Sequence, residues 1–198
     1  MTTTKKTQYH HGDLARALID ASLVLLSERG PEAISMREIA RQAGVSHGAP
    51  AHHFGDKAGL FTAAAIDGQQ LLAAALGQAI AGATGTEAQL KAAGEAYIRF
   101  AVGHPGQFNI MFQSEQIDRQ NPDYKAAAET TRSHLEQCVA TFLGDKAEQR
   151  HLTAVVTALW SQVHGFSCLW LAGNFGDPAD EALLGQMLRD MLSSIIPQ

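Results

Sequence analysis

Apolar residues recur along this 198-residue chain at steps of three and four, while period-two alternation is scarce, so the pattern predicts helices and no sheet. Leu14, Leu18, Ala21 and Leu25 share one face of a first helix over about residues 13 to 29. Gly30 and then Pro31 end it in the order expected of a helix C-terminus. Ser35, with Glu38 three residues on, makes a capping box for a short second helix ending near residue 43. Gly44 and Val45 form a tight turn, Ser46 is placed to cap a third helix running to about residue 54, and Asp56 to cap a fourth. Longer helices follow over about 57–81, 87–102, 107–115, 123–143, 146–172 and 179–195. The expected fold class is all-α: a three-helix N-terminal domain over residues 1–60 and a larger helical domain over residues 61–198.

The stretch from 35 to 57 carries the most specific signal. Two short helices joined by a glycine turn have the shape of a helix-turn-helix. Ile39 and Ala40 are placed to pack on the first helix, Val45 to plug the corner and Phe54 to anchor the end. Gly48, Ala49 and Ala51 keep the outer face of the third helix slim enough for a major groove. Net charge is −5, which argues against nucleic acid until it is divided. The first 60 residues hold seven basic and six acidic side chains, and five of the nine histidines; the remainder holds eight basic and fourteen acidic. A basic patch therefore has to come from geometry rather than bulk charge.

The two cysteines, Cys138 and Cys168, make no disulfide framework, and Lys5 and Lys6 are not followed by an apolar core as in a secretory signal; the expectation is a cytoplasmic protein. Residues 151 to 176 hold no Lys, Arg, Asp or Glu, a length that can span a bilayer. Thr153, Thr157, Ser161, Gln162, His164, Ser167 and Asn174 make that stretch polar, so a helix buried on most sides by protein, and no membrane, is the reading.

With these residues in view, the chain resembles the TetR family of regulators. The resemblance rests on Ser35-Met36-Arg37-Glu38-Ile39-Ala40, Ala43-Gly44-Val45-Ser46, His53-Phe54 and Asp56-Lys57. Tyr9-His10-His11-Gly12-Asp13-Leu14 and Trp160-Ser161-Gln162-Val163-His164-Gly165 are similar to one branch of that family, which has a Trp…His-Gly effector domain. The resemblance implies a DNA-binding regulator, a repressor released from a palindromic operator by a small hydrophobic or amphipathic effector, acting as a homodimer. It implies phosphate contacts from Ser35 and the amides of Met36 and Arg37, and from His53 and Lys57. Ser46, His47, Gly48, Ala49 and Pro50 would open the recognition helix towards base edges, and Lys5, Lys6, Tyr9 and His10 would reach the backbone or minor groove. His52 joins the base-reading set because no Arg or Asn stands between 46 and 54. Ala51 stands where many relatives carry a tyrosine and cannot make that ring's contact.

Other readings of single features stay open at this level. His164, four residues after Trp160, is either a satisfied core histidine or the polar handle of an effector pocket. Phe108, Met111 and Phe112 are either core or the apolar wall of that pocket. Leu159, Val163 and Phe166 with Leu184, Leu188, Met191 and Ile195 make apolar stripes broad enough for a four-helix dimer interface. The pairs His10-His11 and His52-His53 lack acidic or cysteine partners at ligand spacing, so no metal site is expected. No nucleophile–base spacing, phosphate-cradling glycine loop or cofactor motif is present, so neither an enzyme nor a cofactor is expected. Repressor and activator are not separated by sequence.

Overall fold

The computed structural model describes residues 11–112, 114–144 and 149–195. Among them are nine α-helices and no strand: α1 (His11–Arg29), α2 (Met36–Gln42), α3 (Ala49–Phe54), α4 (Lys57–Gly82), α5 (Thr86–Gly103), α6 (Pro105–Phe112), α7 (Pro122–Leu143), α8 (Gln149–Leu171) and α9 (Glu181–Ile195). The all-α expectation holds, with boundaries within three residues for most helices. Helix α6 begins two residues earlier than expected because Pro105 sits where a helix tolerates the missing N–H, in its first turn.

Helix α1 lies against α2, α4 and α6. With neighbours on several sides it buries Leu18, Ala21 and Leu25 as expected, and also Ser22, Leu23 and Leu26. Helix α4 is the spine of the molecule. It touches α1, α3, α5, α6 and α7, and at 1.5 Å per residue its 26 residues extend about 39 Å. The expected boundary after residue 60 falls inside this unbroken helix. One hydrophobic core runs from Leu18 in α1 through Leu60, Phe61 and Leu72 in α4 to Ile98, Met111, Trp170 and Leu184.

Three expectations change. Ser46 does not cap α3: the helix starts at Ala49, its N-cap Gly48 makes no side-chain cap bond, and only the Ser46 carbonyl accepts from Ala49 N–H. Pro50, in the first turn, fixes the start of the helix later than a Ser46 cap would. Helix α8 is not buried on most sides: only 17% of its apolar window is buried within the chain. By length and composition that helix could cross a membrane. Finally, Val163, Phe166, Leu184 and Leu188 are buried in their own chain's core, and Met191 packs on it half-buried, so they are not a free dimer face. The Ile195 side chain lies outside the described residues. The outward side of α8 instead presents Ala154, Ala158, Ser161, Gln162 and Leu169.

Candidate DNA-reading face and effector cavity

The helix-turn-helix is held by local chemistry. The Ser35 hydroxyl accepts from Glu38 N–H at 3.3 Å, while Ser35 N–H donates to Glu38 Oε2 at 2.9 Å, a complete capping box. The Ser35 hydroxyl also donates to Glu38 Oε2 at 2.8 Å, and Arg29 Nη1 reaches Glu38 Oε1 at 3.0 Å, tying α2 to the end of α1. The chain then turns through Gly44, whose φ of 68° favours a residue without Cβ. Donation from the Ser35 hydroxyl, then from the Ser35 amide, then from Arg29, pulls the Glu38 carboxyl down to about 2. A carboxylate with a lowered folded-state value stabilises the fold above its ordinary value of 4.5, and that contribution is lost as pH falls from there towards 2. Ser35→Ala is therefore expected to lower stability by about 1 kcal/mol at neutral pH and to flatten the acid limb of the stability profile between pH 4.5 and 2. Denaturant unfolding across that range checks both.

Arg37, Ser46, His47, Gly48 and His52 are exposed along α2, the turn and α3, and Ala49 and His53 are half-buried beside them. Lys57 Nζ stands 5.3 Å from the centroid of the Phe61 ring at the start of α4. Asp56 caps that helix, its Oδ1 accepting from Gly59 N–H at 2.8 Å. Pro50 is buried against the domain, so its side chain is not free to meet a base. The Met36 side chain packs half-buried on the core, and its expected phosphate contact is through the amide. The Ser35 hydroxyl is engaged by Glu38. Arg41 is exposed on the last turn of α2, a further basic side chain near this face. Lys5, Lys6, Tyr9 and His10 lie outside the described residues.

A cavity of about 500 Å³ opens among α4, α5, α7 and α8. Leu76, Leu90, Ala93, Leu135, Val156 and Leu159 make it apolar, and Tyr97, Phe112 and Trp160 form an aromatic wall. The Tyr97 hydroxyl is a junction: Trp160 Nε1 donates to it at 3.2 Å, and it lies 2.9 Å from His164 Nδ1. With Trp160 donating to its oxygen, Tyr97 can give its proton to Nδ1, which leaves Nε2–H facing Cys168 Sγ at 3.6 Å. Burial pushes the Tyr97 phenol up and the His164 imidazole down, so both stay neutral.

Of the expected pocket residues, Phe112 and Trp160 line the cavity. Phe108 and Met111 are fully buried core instead; Phe112, one turn further along the same face of α6 as Phe108, is the residue that reaches the cavity. His164 stands behind the wall and acts on the cavity through Tyr97. Tyr97 itself was missed, since a tyrosine in an amphipathic helix carries no signal distinguishing a core position from a wall. A larger, more open groove of about 870 Å³ between α4 and α7 is floored by Ala73, Ala74, Gly77 and Ala126, and its lining has no Phe, Tyr or Trp, so the cavity with the aromatic wall is the better ligand site.

Residues 18–64 match the family model for bacterial regulatory proteins of the tetR family, and residues 90–192 that for the tetracyclin repressor-like C-terminal domain. The chain belongs to the TetR family. TetR-family proteins are transcriptional regulators, not enzymes. A helix-turn-helix transcriptional repressor of Mycobacterium tuberculosis strain H37Rv is 39% identical over 56 residues, covering 28% of this chain and only 30% of the repressor. A solved structure of a protein of unknown function from Rhodococcus sp. RHA1 is 26% identical, with a TM-score of 0.76, covering 96% of this TetR-family chain and 97% of that one. The structure of AibR in complex with isovaleryl coenzyme A and operator DNA shares the fold, with a TM-score of 0.72 at 16% identity over 91% of this chain and 97% of that one. In a family of DNA-binding regulators the single apolar α8 does not indicate a membrane.

Proposed function

We propose that this TetR-family protein is a cytoplasmic homodimeric repressor, released from its operator when a small amphipathic molecule fills the cavity among α4, α5, α7 and α8. The observation that carries the reading is the sharing of α4 between both sites. Its first residue is Lys57 beside α3, and Gln69 and Leu76 of the same helix line the cavity. A second tie runs from the segment after α6: Asp118 N–H donates to Thr62 Oγ1 at 2.8 Å, and that hydroxyl donates to Ala58 O at 2.7 Å, next to Lys57. An effector that fits the cavity better when α4 has shifted favours the DNA-incompetent state by that difference in affinity.

Residues 1–60 would read DNA and 61–198 would bind effector and partner, the two joined through α4 rather than by a linker. The partner would be a second copy laid on the outward side of α8, where Leu169, 47% accessible, stands with Ala154, Ala158, Ser161 and Gln162. Support also comes from the relative named a repressor and from AibR, whose own complex contains operator DNA and an acyl-coenzyme A.

The test is binding to DNA fragments from upstream of the protein's own gene across a salt series. Saturable binding to one fragment in competitor DNA is expected, with two recognition helices about one DNA turn apart. Lys57→Ala should weaken binding evenly across sequences and reduce the slope of log K against log salt by about 2, one phosphate per protomer. Equal, weak binding to every fragment, before and after removal of any co-purified ligand, would overturn the repressor reading.

A further inference from the structure

One cation of the cavity wall has no paired carboxylate among the described residues. Two guanidinium groups line it, Arg119 and Arg132. Arg132 is neutralised by both Glu129 and Glu136. Arg119, in the segment between α6 and α7, donates from Nη1 to Met111 O at 3.4 Å and to the Tyr124 hydroxyl at 3.2 Å, and from Nη2 to Ser114 O at 3.2 Å. All three acceptors are neutral, and among the described residues no carboxylate forms an ion pair with it. The nearest acidic residue in sequence, Asp118, turns its Oδ1 to Gln120 N–H at 2.8 Å.

A guanidinium has five N–H donors in a planar fork. Three are used here to fix its plane, which leaves Nε–H and one N–H of Nη2. Donors on adjacent nitrogens match a carboxylate or phosphate in the bidentate manner. The rest of the wall is mostly apolar, with Gln69, Thr131, Thr153, Thr157 and the mutually neutralised Arg132 and Glu136 as its other polar groups, so Arg119 supplies the cavity's one uncompensated fixed charge among the described residues.

We propose that Arg119 is the anion-reading residue of this cavity, and that the effector is an apolar chain ending in a carboxylate or phosphate. The inference rests on reading the cavity as the effector site. Arg119 directly follows Asp118, the residue tied to Thr62 on α4. Capture of an anion therefore acts one residue from the hydrogen bond that leads to Ala58 and the start of α4. Arg119 binds the ligand; Asp118 and Thr62 position α4.

The test uses the full-length protein and three probes with one chain length: decanoate, decyl phosphate and decanol. Quenching of tryptophan fluorescence reads occupancy, since Trp160 lines the cavity. At least one anionic probe is expected to bind about ten to a hundred times more tightly than decanol. Decanoate alone would place a carboxylate on Arg119, and decyl phosphate alone a phosphate; either supports the proposal. Arg119→Gln should erase the preference, bringing both anions to the affinity of decanol for the same variant. Arg119→Lys, which keeps the charge but not the fork, should restore part of it. Thermal unfolding of both variants separates a binding loss from a folding loss. Decanol binding as tightly as both anions, or a preference that survives Arg119→Gln, overturns the anion-reading role while leaving the effector cavity intact. Binding of none of the three overturns both, and operator binding would then stand alone.

Discussion

Replacing Gly59 with alanine is expected to lower operator affinity at least tenfold while leaving the effector cavity intact. Gly59 lies in the first turn of α4, where a Cβ would fall inside the van der Waals envelope of the Phe54 carbonyl oxygen and 3.2 Å from its carbon. Both are backbone atoms, so no rotamer relieves the overlap; the α3–α4 angle must open. Alanine gains up to about 1 kcal/mol over glycine in helix propensity, but overpacking of this kind costs about 1–3 kcal/mol, and the steric term wins. The loss falls on DNA because α3 has only six residues and its end, Phe54, is the clashing residue. Every dimer would carry the displacement twice. Operator titration beside denaturant unfolding checks this: a variant that is mildly destabilised yet binds DNA as tightly as the parent would show that the α3–α4 junction does not set the reading geometry.

What could be read from the sequence was what local chemistry determines. The capping box of Ser35 and Glu38, the Gly44 turn and the Asp56 cap each depend on residues within four positions, and each forms as expected. Ser46 looked equivalent but lost to Pro50, whose ring sets the helix start. Identity of neighbours was the harder part. The stripe of Val163, Phe166, Leu184 and Leu188 announced that one face of α8 and α9 is buried, but a stripe does not say whether its own chain or a partner covers it. The face left open, with Ala154, Ala158 and Ser161, has residues too small to raise a hydrophobic signal. The cavity suffered most. Tyr97 and Phe112 meet Trp160 only after three helices pack, and Arg119 sits in a segment with no periodicity at all.

Phe108 and Phe112, one turn apart on α6, should part company sharply when truncated. Phe108 is fully buried, its ring 5.2 Å from both Phe112 and His164 and 6.3 Å from Tyr97. Phe108→Ala removes the centre of that cluster and should cost about 3–5 kcal/mol, a fall in Tm of roughly 6–20 °C for a chain of this size. Phe112 is half-buried and forms cavity wall. Its truncation forfeits less burial and lengthens the cavity, so Phe112→Ala should cost less than half as much and move the preferred chain length of the bound probe upwards. Melting curves and titration with a series from octanoate to tetradecanoate separate the two. If Phe108→Ala shifted chain-length preference and Phe112→Ala did not, the ligand would lie on the α1 side of α6, and the space beside Trp160 would be a packing defect rather than a site.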